Sequence, residues 1–260
     1  MNKNKKVFVF DIDGTLLDNL THKVPKSAVE SIKQLKLNGH IVGLATGRNE
    51  SQFLKVLNRE LFDFIILCNG SYVEVDGKVI DSTEFSLEEK KIISEVLDKH
   101  NLVYGITTRD TLYTSVPESD NIDRVLEQFN LIVPKYDSKF LEKETYQFMV
   151  YEACTNIEIL QSELSDYRFH RYGDFGFDID LLHVNKGWAL QRLIEHFELD
   201  IKNVYAFGDG ENDIDFLRIA GTGIALGNAA ELTKEASDYV TTNVDDDGIL
   251  NALKHFGFIS

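Results

Sequence analysis

Cysteine and positive charge are both scarce in this 260-residue sequence, and each shortage argues against a class of protein. The only two cysteines, Cys68 and Cys154, form no CxxC arrangement, which argues against a disulfide scaffold or a zinc site. We expect both to be reduced, buried side chains, with a disulfide between them left open. Lys and Arg total 27 against 43 Asp and Glu, so the formal net charge is −16. This balance argues against nucleic acid or an anionic membrane as a partner, because both attract Lys and Arg.

Long apolar runs are also lacking. The run Val7–Phe10 is followed at once by Asp11 and is too short for the core of a signal peptide. No run approaches the length of a membrane span. We therefore expect a cytoplasmic protein that is a monomer or a weak homodimer.

Strands and helices alternate at the two ends of the sequence. Short apolar runs predict strands at 7–10, 41–45, 64–67, 204–207, 223–226 and 239–241. Helical spacing predicts helices at about 27–38, 50–58, 187–197, 212–220, 229–236 and 248–256. This alternation is typical of an α/β, Rossmann-like core with a parallel sheet.

The middle of the sequence has a different pattern. A hairpin is predicted around Asp76-Gly77. Beyond it, helices are predicted at about 86–99, 121–129 and 156–164, with strands near Tyr104, Tyr113, 147–152, Arg168 and Phe177. Antiparallel strands mixed with helices indicate an inserted α+β domain. The expected boundaries are 1–80 and 184–260 for the core and 81–183 for the insertion.

Four polar motifs lie where predicted strands end or a helix begins. They are Asp11-Ile12-Asp13-Gly14-Thr15, Thr46-Gly47-Arg48, Asn185-Lys186-Gly187 and Gly208-Asp209-Gly210-Glu211-Asn212-Asp213. Ligands of open α/β sheets bind beyond the carboxyl ends of the strands, so these motifs are expected to meet in one crevice.

The residue types of these motifs suit phosphate chemistry. The carboxylates of Asp11, Asp13 and Asp209 would repel one another without a cation, and Mg²⁺ prefers such oxygen ligands. A carboxylate can also act as a covalent nucleophile. Thr46 and Lys186 can donate hydrogen bonds to phosphate oxygens.

At this point the sequence resembles the haloacid dehalogenase superfamily. DxDGT, Thr-Gly-Arg, Lys-Gly and GDGxND occur in the family's order, and NKGWAL, GDGENDIDFL and GIALGNA resemble its Cof-type branch. That branch carries a type IIB α+β cap domain between the second and third motifs. The resemblance implies a Mg²⁺-dependent phosphatase that hydrolyses small phosphomonoesters, such as sugar phosphates, through a phospho-aspartate intermediate.

The resemblance also implies roles for individual residues. Asp11 matches the nucleophile and a metal ligand, Asp13 matches the general acid/base whose carbonyl binds the metal, and Asp209 matches the acidic metal ligand. Residues expected at the phosphate or substrate are Thr46, Gly47, Arg48, Asn69, Lys186 and Asn212, with Asp213 in support. The segment Leu181–Val184 lacks the family's usual Pro-x-Gly, so a different loop shape is expected there.

Several residues have alternative interpretations. A structural ion pair is an equally good interpretation of Arg48, and Asn212 is also expected to cap the helix that it opens. The glycines at 221, 223 and 227 have the wrong spacing for a dinucleotide fingerprint and are interpreted as turn residues. The acidic run 245–247 is interpreted as a solvated helix start.

Two alternative functions stay open. A phosphomutase of the same superfamily would use the same nucleophile and metal, with cap arginines gripping a second phosphate. The candidates for that grip are Arg109, Arg124, Arg168 and Arg171. A non-catalytic Mg²⁺-binding regulatory protein is the second alternative, although Asp11 and Asp209 are both present.

Overall fold

A computed structural model describes residues 5–152, 157–171 and 175–259, and it divides the chain into two compact units. The first comprises residues 1–47, 53–81 and 185–260, and the second comprises residues 48–52 and 82–184. Residues 48–52, which the sequence analysis assigned to the core, therefore group with the second unit. Cys68 is buried, and Cys154 lies outside the described residues.

The first unit is built on an eight-stranded sheet in the order β14-β13-β12-β1-β2-β3-β4-β5. Numbered along the chain, its strands are β1 (Val7–Phe10), β2 (Ile41–Ala45), β3 (Phe64–Leu67), β4 (Tyr72–Val75), β5 (Lys78–Ser82), β12 (Val204–Gly208), β13 (Thr222–Ala225) and β14 (Tyr239–Val240). The pairs from β14 across to β3 are parallel, and β4 runs antiparallel to β3.

The composition of the central strands explains their position. Every residue of β1, β2 and β3 is buried, as expected for parallel strands covered on both faces. The turn between β4 and β5 consists of Asp76 and Gly77, both at positive φ, as a two-residue hairpin turn requires.

Helices flank this sheet. They are α1 (Lys26–Leu37), α6 (Lys186–His196), α7 (Ile214–Ile219), α8 (Glu231–Ala236) and α9 (Gly248–His255), while α2 (Glu50–Leu54) spans the boundary between the two units. One core cluster joins α6 and α7 to the sheet through Ala189, Leu190, Phe216 and Leu217. Asn185 caps α6 because its side chain accepts a hydrogen bond from the amide of Trp188 at 2.7 Å.

The second unit contains a six-stranded sheet in the order β10-β11-β9-β6-β7-β8. Its strands are β6 (Tyr104–Thr107), β7 (Leu112–Thr114), β8 (Lys135–Tyr136), β9 (Gln147–Val150), β10 (Tyr167–Arg171) and β11 (Phe177–Leu181). Its longer helices are α3 (Leu87–Lys99), α4 (Asp120–Phe129) and α5 (Ile157–Glu163). Strand β11 runs antiparallel to β10 and β9, β6 runs antiparallel to β9 and β7, and β7 pairs with β8 in parallel.

The predicted fold class is confirmed: a Rossmann-like parallel core accompanies an α+β cap.

Two helix predictions were too long. The helix predicted at 50–58 ends at Leu54, and Asn58 then caps a 3₁₀ turn at Arg59–Leu61. The helix predicted at 212–220 is a 3₁₀ turn at Glu211–Asp213 followed by α7. Among the described helices, none is both long and apolar enough to cross a membrane.

Candidate active site

The predicted motifs follow neighbouring strands of the first sheet. Asp11 follows β1, Asp209 follows β12 and Thr46 follows β2, and these three strands are adjacent and parallel. Parallel strands have their carboxyl ends at the same edge, so the loops carrying these residues lie side by side. The register of the sheet therefore brings together residues that are nearly 200 positions apart in sequence.

A buried lysine joins two of the carboxylates. The Nζ atom of Lys186, at the start of α6, donates to Oδ1 of Asp11 at 2.6 Å and to Oδ1 of Asp213 at 2.7 Å. The Oδ2 atom of Asp213 accepts hydrogen bonds from the amides of Asp209 and Gly210, each at 2.9 Å. Asp213 thus orients both the lysine and the loop that carries Asp209.

The carboxylate of Asp209 is held against the first motif. Thr15 donates from Oγ1 to Oδ1 of Asp209 at 2.8 Å. Gly14 has a φ of +79°, and a Cβ atom there would lie 2.0 Å from Oδ2 of Asp209. Glycine is therefore required at position 14 both by the left-handed backbone and by the close approach of the carboxylate.

Three of these carboxylates could hold a metal ion. One oxygen from each of Asp11, Asp209 and Asp213 lies within 4.8 Å of the others. Lys186 and Thr15 bind the Oδ1 atoms of Asp11 and Asp209, which leaves the Oδ2 atoms of these two residues for another ligand. Such an all-oxygen set of donors fits a hard divalent cation.

Burial and mutual repulsion both act on the carboxylates of this cluster. Burial raises the pKa of the Asp11 carboxyl well above its usual range, with Lys186 opposing the rise and Asp213 and Asp209 adding to it. Burial and the charge of Asp213 likewise raise the pKa of Asp209 to about 7. Burial disfavours the charged form of Lys186, yet Asp11 and Asp213 hold its pKa above the usual value. A cation would favour the ionised carboxylates.

Asp13 lies close to this cluster. It forms a β-bridge with Leu17, and its charge contributes to the raised pKa values of Asp11 and Asp209. The structure does not place its carboxyl in the group of three, which instead includes Asp213. The metal ligand expected from Asp13 is its main-chain carbonyl, so that assignment stays a prediction.

The expected phosphate-side residues of the first unit also meet. The backbone amide of Asn69 donates a hydrogen bond to the carbonyl of Thr46 at 3.0 Å. Nδ2 of Asn212 donates to the side-chain Oδ1 of Asn69, also at 3.0 Å. Cys68, Asn69 and Gly70 all have positive φ, a costly backbone conformation that is concentrated at functional sites. A Cβ atom at Gly47 would lie 3.0 Å from Oδ1 of Asn69.

Arg48 belongs to the second unit. Its guanidinium donates to the carbonyls of Gln52 and Phe129, both at 3.3 Å. Arg48 is therefore hydrogen-bonded to the backbone of the second unit. Its expected role at the phosphate stays a prediction.

Sequence reasoning gave no role to two residues that organise the site. Thr15 holds the carboxylate of Asp209. It is part of the DxDGT motif, but the motif alone did not suggest this role. Asn228 donates from Nδ2 to the carbonyl of Gly14 at 2.7 Å and accepts from the amide of Val244 at 2.8 Å. The place of Asn228 in the GIALGNA motif could have indicated a role for it. The motif does not identify the hydrogen-bond partners of Asn228, because they lie in distant parts of the sequence.

Comparisons with known proteins agree with this arrangement. Residues 8–253 match the model of the haloacid dehalogenase-like hydrolase family. The chain is 29% identical over 260 residues to the putative phosphatase YkrA of Bacillus subtilis, covering 98% of this chain and 99% of that one.

Solved structures are similar over the whole chain. The subclass IIB sugar phosphatase BT4131 is 29% identical with a TM-score of 0.89, covering 98% of this chain and 100% of that one. BT1666 from Bacteroides thetaiotaomicron, described as a phosphatase of the same superfamily, is 27% identical with a TM-score of 0.89, covering 100% and 98%. This chain therefore belongs to the haloacid dehalogenase-like hydrolase family.

Proposed function

We propose that this protein is a Mg²⁺-dependent phosphatase that hydrolyses small phosphomonoesters through a phospho-aspartate at Asp11. The observation that carries the proposal is the buried carboxylate of Asp11, held 2.6 Å from the Lys186 ammonium beside Asp209 and Asp213. The names of the similar proteins, a putative phosphatase and a sugar phosphatase, support the same reaction.

The residues divide the chemistry between them. An oxygen of Asp11 forms a bond to phosphorus while the bond from phosphorus to the leaving alkoxide breaks, and Asp13 donates its proton to that alkoxide. In the second step Asp13 takes a proton from water, the water oxygen bonds to phosphorus, and the Asp11 carboxylate leaves. The products are the alcohol and inorganic phosphate.

The positive charge at the site has two sources in this proposal. Lys186 is fixed by Asp11 and Asp213 where it can balance phosphate charge. Asp11 and Asp209, with the carbonyl of Asp13, would hold Mg²⁺, which stabilises negative charge on the phosphoryl oxygens when bound. Carboxylates far from the site repel a bound phosphate only weakly, because the screening length at physiological salt is about 8 Å.

The phosphomutase alternative receives less support from the cap arginines. Arg109 pairs with Glu50 at 3.1 Å, and Arg168 donates to the carbonyl of Leu182 at 3.1 Å. Arg124 lies over the ring of Phe175, with its guanidinium carbon 5.7 Å from the ring centroid. These contacts hold three of the four candidate arginines against protein groups.

Trapping the intermediate tests the proposal. Wild-type protein is mixed with p-nitrophenyl phosphate and Mg²⁺, quenched in acid, and analysed by peptide mass spectrometry for a phosphoryl group on Asp11. Asp11→Asn is the matched control, because it keeps the size of the side chain and removes the nucleophile. Phosphate release without any phosphoryl group on Asp11 under single-turnover conditions would contradict the proposed mechanism.

A further inference from the structure

The loop that carries Asp209 is held through both its backbone amides and its backbone carbonyls. The amides of Asp209 and Gly210 donate to Oδ2 of Asp213, within the loop itself. The carbonyls accept from a segment further along the chain. The amide of Ala230 donates to the carbonyl of Asp209 at 3.0 Å. Oγ1 of Thr233 donates to the carbonyl of Gly210 at 2.9 Å, so two successive carbonyls of the loop are fixed by that segment.

The segment formed by residues 228–233 also holds the loop of the first motif. Nδ2 of Asn228 donates to the carbonyl of Gly14 at 2.7 Å, and Oδ1 of Asn228 accepts from the amide of Val244 at 2.8 Å. These two bonds fix the orientation of the Asn228 side chain. Because the carboxylate of Asp209 lies directly against Gly14, the 228–233 segment contacts both loops at the point where they meet.

The position of Thr233 in α8 is the reverse of the usual one for a polar residue. Thr233 is fully buried, whereas its neighbour Leu232 is 57% exposed. Surface helices normally bury apolar side chains and expose polar ones. A buried hydroxyl costs free energy unless it is hydrogen-bonded, and the bond to Gly210 offsets that cost. The hydrogen bond to the loop therefore accounts for a hydroxyl at this buried position.

The spacing of the two loops matters because each supplies a carboxylate to the same candidate metal site. Oxygens of Asp11 and Asp209 lie within 4.8 Å of each other and come from different loops. Mg²⁺ requires near-octahedral oxygen ligands at about 2.0–2.1 Å, so small displacements of a ligand weaken binding. Hydrogen bonds that hold both loops in place before binding reduce the cost of ordering them around the ion.

We propose that Asn228 and Thr233 are positioning residues that set the spacing of the loops carrying Asp11 and Asp209, and thereby the affinity of the site for Mg²⁺. They act through backbone carbonyls of the two loops. This inference rests on the proposed Mg²⁺-dependent function and adds two residues that control how tightly the ion is held.

A matched pair of threonine variants tests the role of Thr233. Thr241 is also buried, and its hydroxyl donates to the carbonyl of Gly248 at 2.8 Å. Thr233→Val and Thr241→Val each remove one such bond and keep the shape of the side chain, so both should lower the unfolding free energy in urea without Mg²⁺. Only Thr233→Val is expected to raise the Mg²⁺ dissociation constant, roughly three- to tenfold by calorimetric titration. Thr241→Val is expected to stay within about twofold of wild type.

Thr233→Ser separates positioning from stability. Serine keeps the hydroxyl and loses the buried methyl group, so this variant is expected to unfold more easily. Its Mg²⁺ dissociation constant is nevertheless expected to stay within about twofold of wild type, because the bond to the loop is kept. Loss of affinity in Thr233→Ser equal to that in Thr233→Val would overturn the role of the hydroxyl.

Asn228→Ala tests the other loop. It is expected to raise the Mg²⁺ dissociation constant roughly three- to tenfold, as for one lost hydrogen bond. Asn251→Ala is its control, because Nδ2 of Asn251 donates to Oγ1 of Thr242 and to the carbonyl of Asp246, at 2.8 and 3.0 Å. This variant is expected to stay within about twofold of wild type.

The controls distinguish failure of this inference from failure of the proposed function. Unchanged Mg²⁺ affinity in Thr233→Val or in Asn228→Ala would overturn the inference and leave the proposed function standing. Equal weakening in Thr241→Val would also overturn it, because affinity would then simply follow stability. If wild-type protein bound no Mg²⁺, or if Asp209→Asn bound it as tightly as wild type, the metal assignment itself would be contradicted and the inference would fall with it.

Discussion

At the scale of single residues, the site depends on carboxylates whose negative charges repel one another. Lys186 bonds to Asp11 and Asp213, Thr15 bonds to Asp209, and two backbone amides bond to Asp213. Each of these donors removes part of the cost of burying negative charge. The arrangement explains how a strongly acidic cluster is kept in one place.

Asp13→Asn is expected to separate the role of Asp13 from that of Asp11. General acid catalysis contributes about 10²–10⁴-fold, and an alkoxide needs the proton far more than p-nitrophenolate does. Single-turnover phosphorylation should therefore slow much more with an alkyl phosphate than with an aryl phosphate. Equal slowing, in a variant that still folds and binds Mg²⁺, would show that Asp13 is not the general acid.

Gly14→Ala is expected to damage the metal site, whereas Gly77→Ala is not. Both glycines have positive φ, +79° and +75°, so both variants should lose about 1–2 kcal/mol of unfolding free energy through backbone strain. Only the new Cβ atom at position 14 meets Asp209; at Gly77 none of the described residues has an atom within 4 Å of an added Cβ. Calorimetric Mg²⁺ titration and urea unfolding of the two variants check this, and equal Mg²⁺ affinities would contradict it.

At the scale of elements, the junction of β1, β2 and the C-terminal segment contains a partly buried histidine. His40, just before β2, accepts a hydrogen bond at Nδ1 from the amide of Lys6 at 3.3 Å. Its ring packs against Phe8 and Phe258, with ring centroids 5.3 and 6.0 Å away. Protonation of Nδ1 would break this hydrogen bond where the strands begin.

The stability of this junction is expected to depend on pH. Burial, aided by Lys6 and Lys5, lowers the pKa of His40 below 6.5, so the unfolded chain takes up the proton first as the pH falls. The contribution of neutral His40 is complete above pH 6.5 and is lost progressively below it. His40→Gln should show a smaller loss of unfolding free energy between pH 7.5 and 5.5 than wild type, measured by urea unfolding. Parallel curves for the two proteins would contradict this.

At the scale of the whole molecule, the net charge of −16 and the carboxylate cluster both attract cations. Activity is expected to require Mg²⁺ and to be inhibited by Ca²⁺, which takes more ligands at longer distances and would hold Asp11 unsuitably for attack. The apparent Mg²⁺ affinity should fall as NaCl is raised, because salt screens the negative field. Initial rates over a Mg²⁺ series at low and physiological ionic strength check this, and full activity after exhaustive chelation would contradict the metal assignment.

The sequence by itself determined the fold class and the position of Asp11 directly after a strand. The runs at β1, β2 and β3 are short and apolar throughout, as expected for parallel strands covered on both faces. The DxDGT motif directly after β1 placed Asp11 at a strand end, where ligands bind. These inferences succeeded because they depend on local spacing and side-chain type.

Only the tertiary structure decided which distant residues meet. Asp213 joins Asp11 and Asp209 in the carboxylate group, Asn228 reaches the carbonyl of Gly14, and residues 48–52 group with the second unit. Thr107 and Gln147 likewise lie opposite each other only through the register of β6 and β9. Strand order and register are properties of the folded sheet, and spacing along the chain does not specify them.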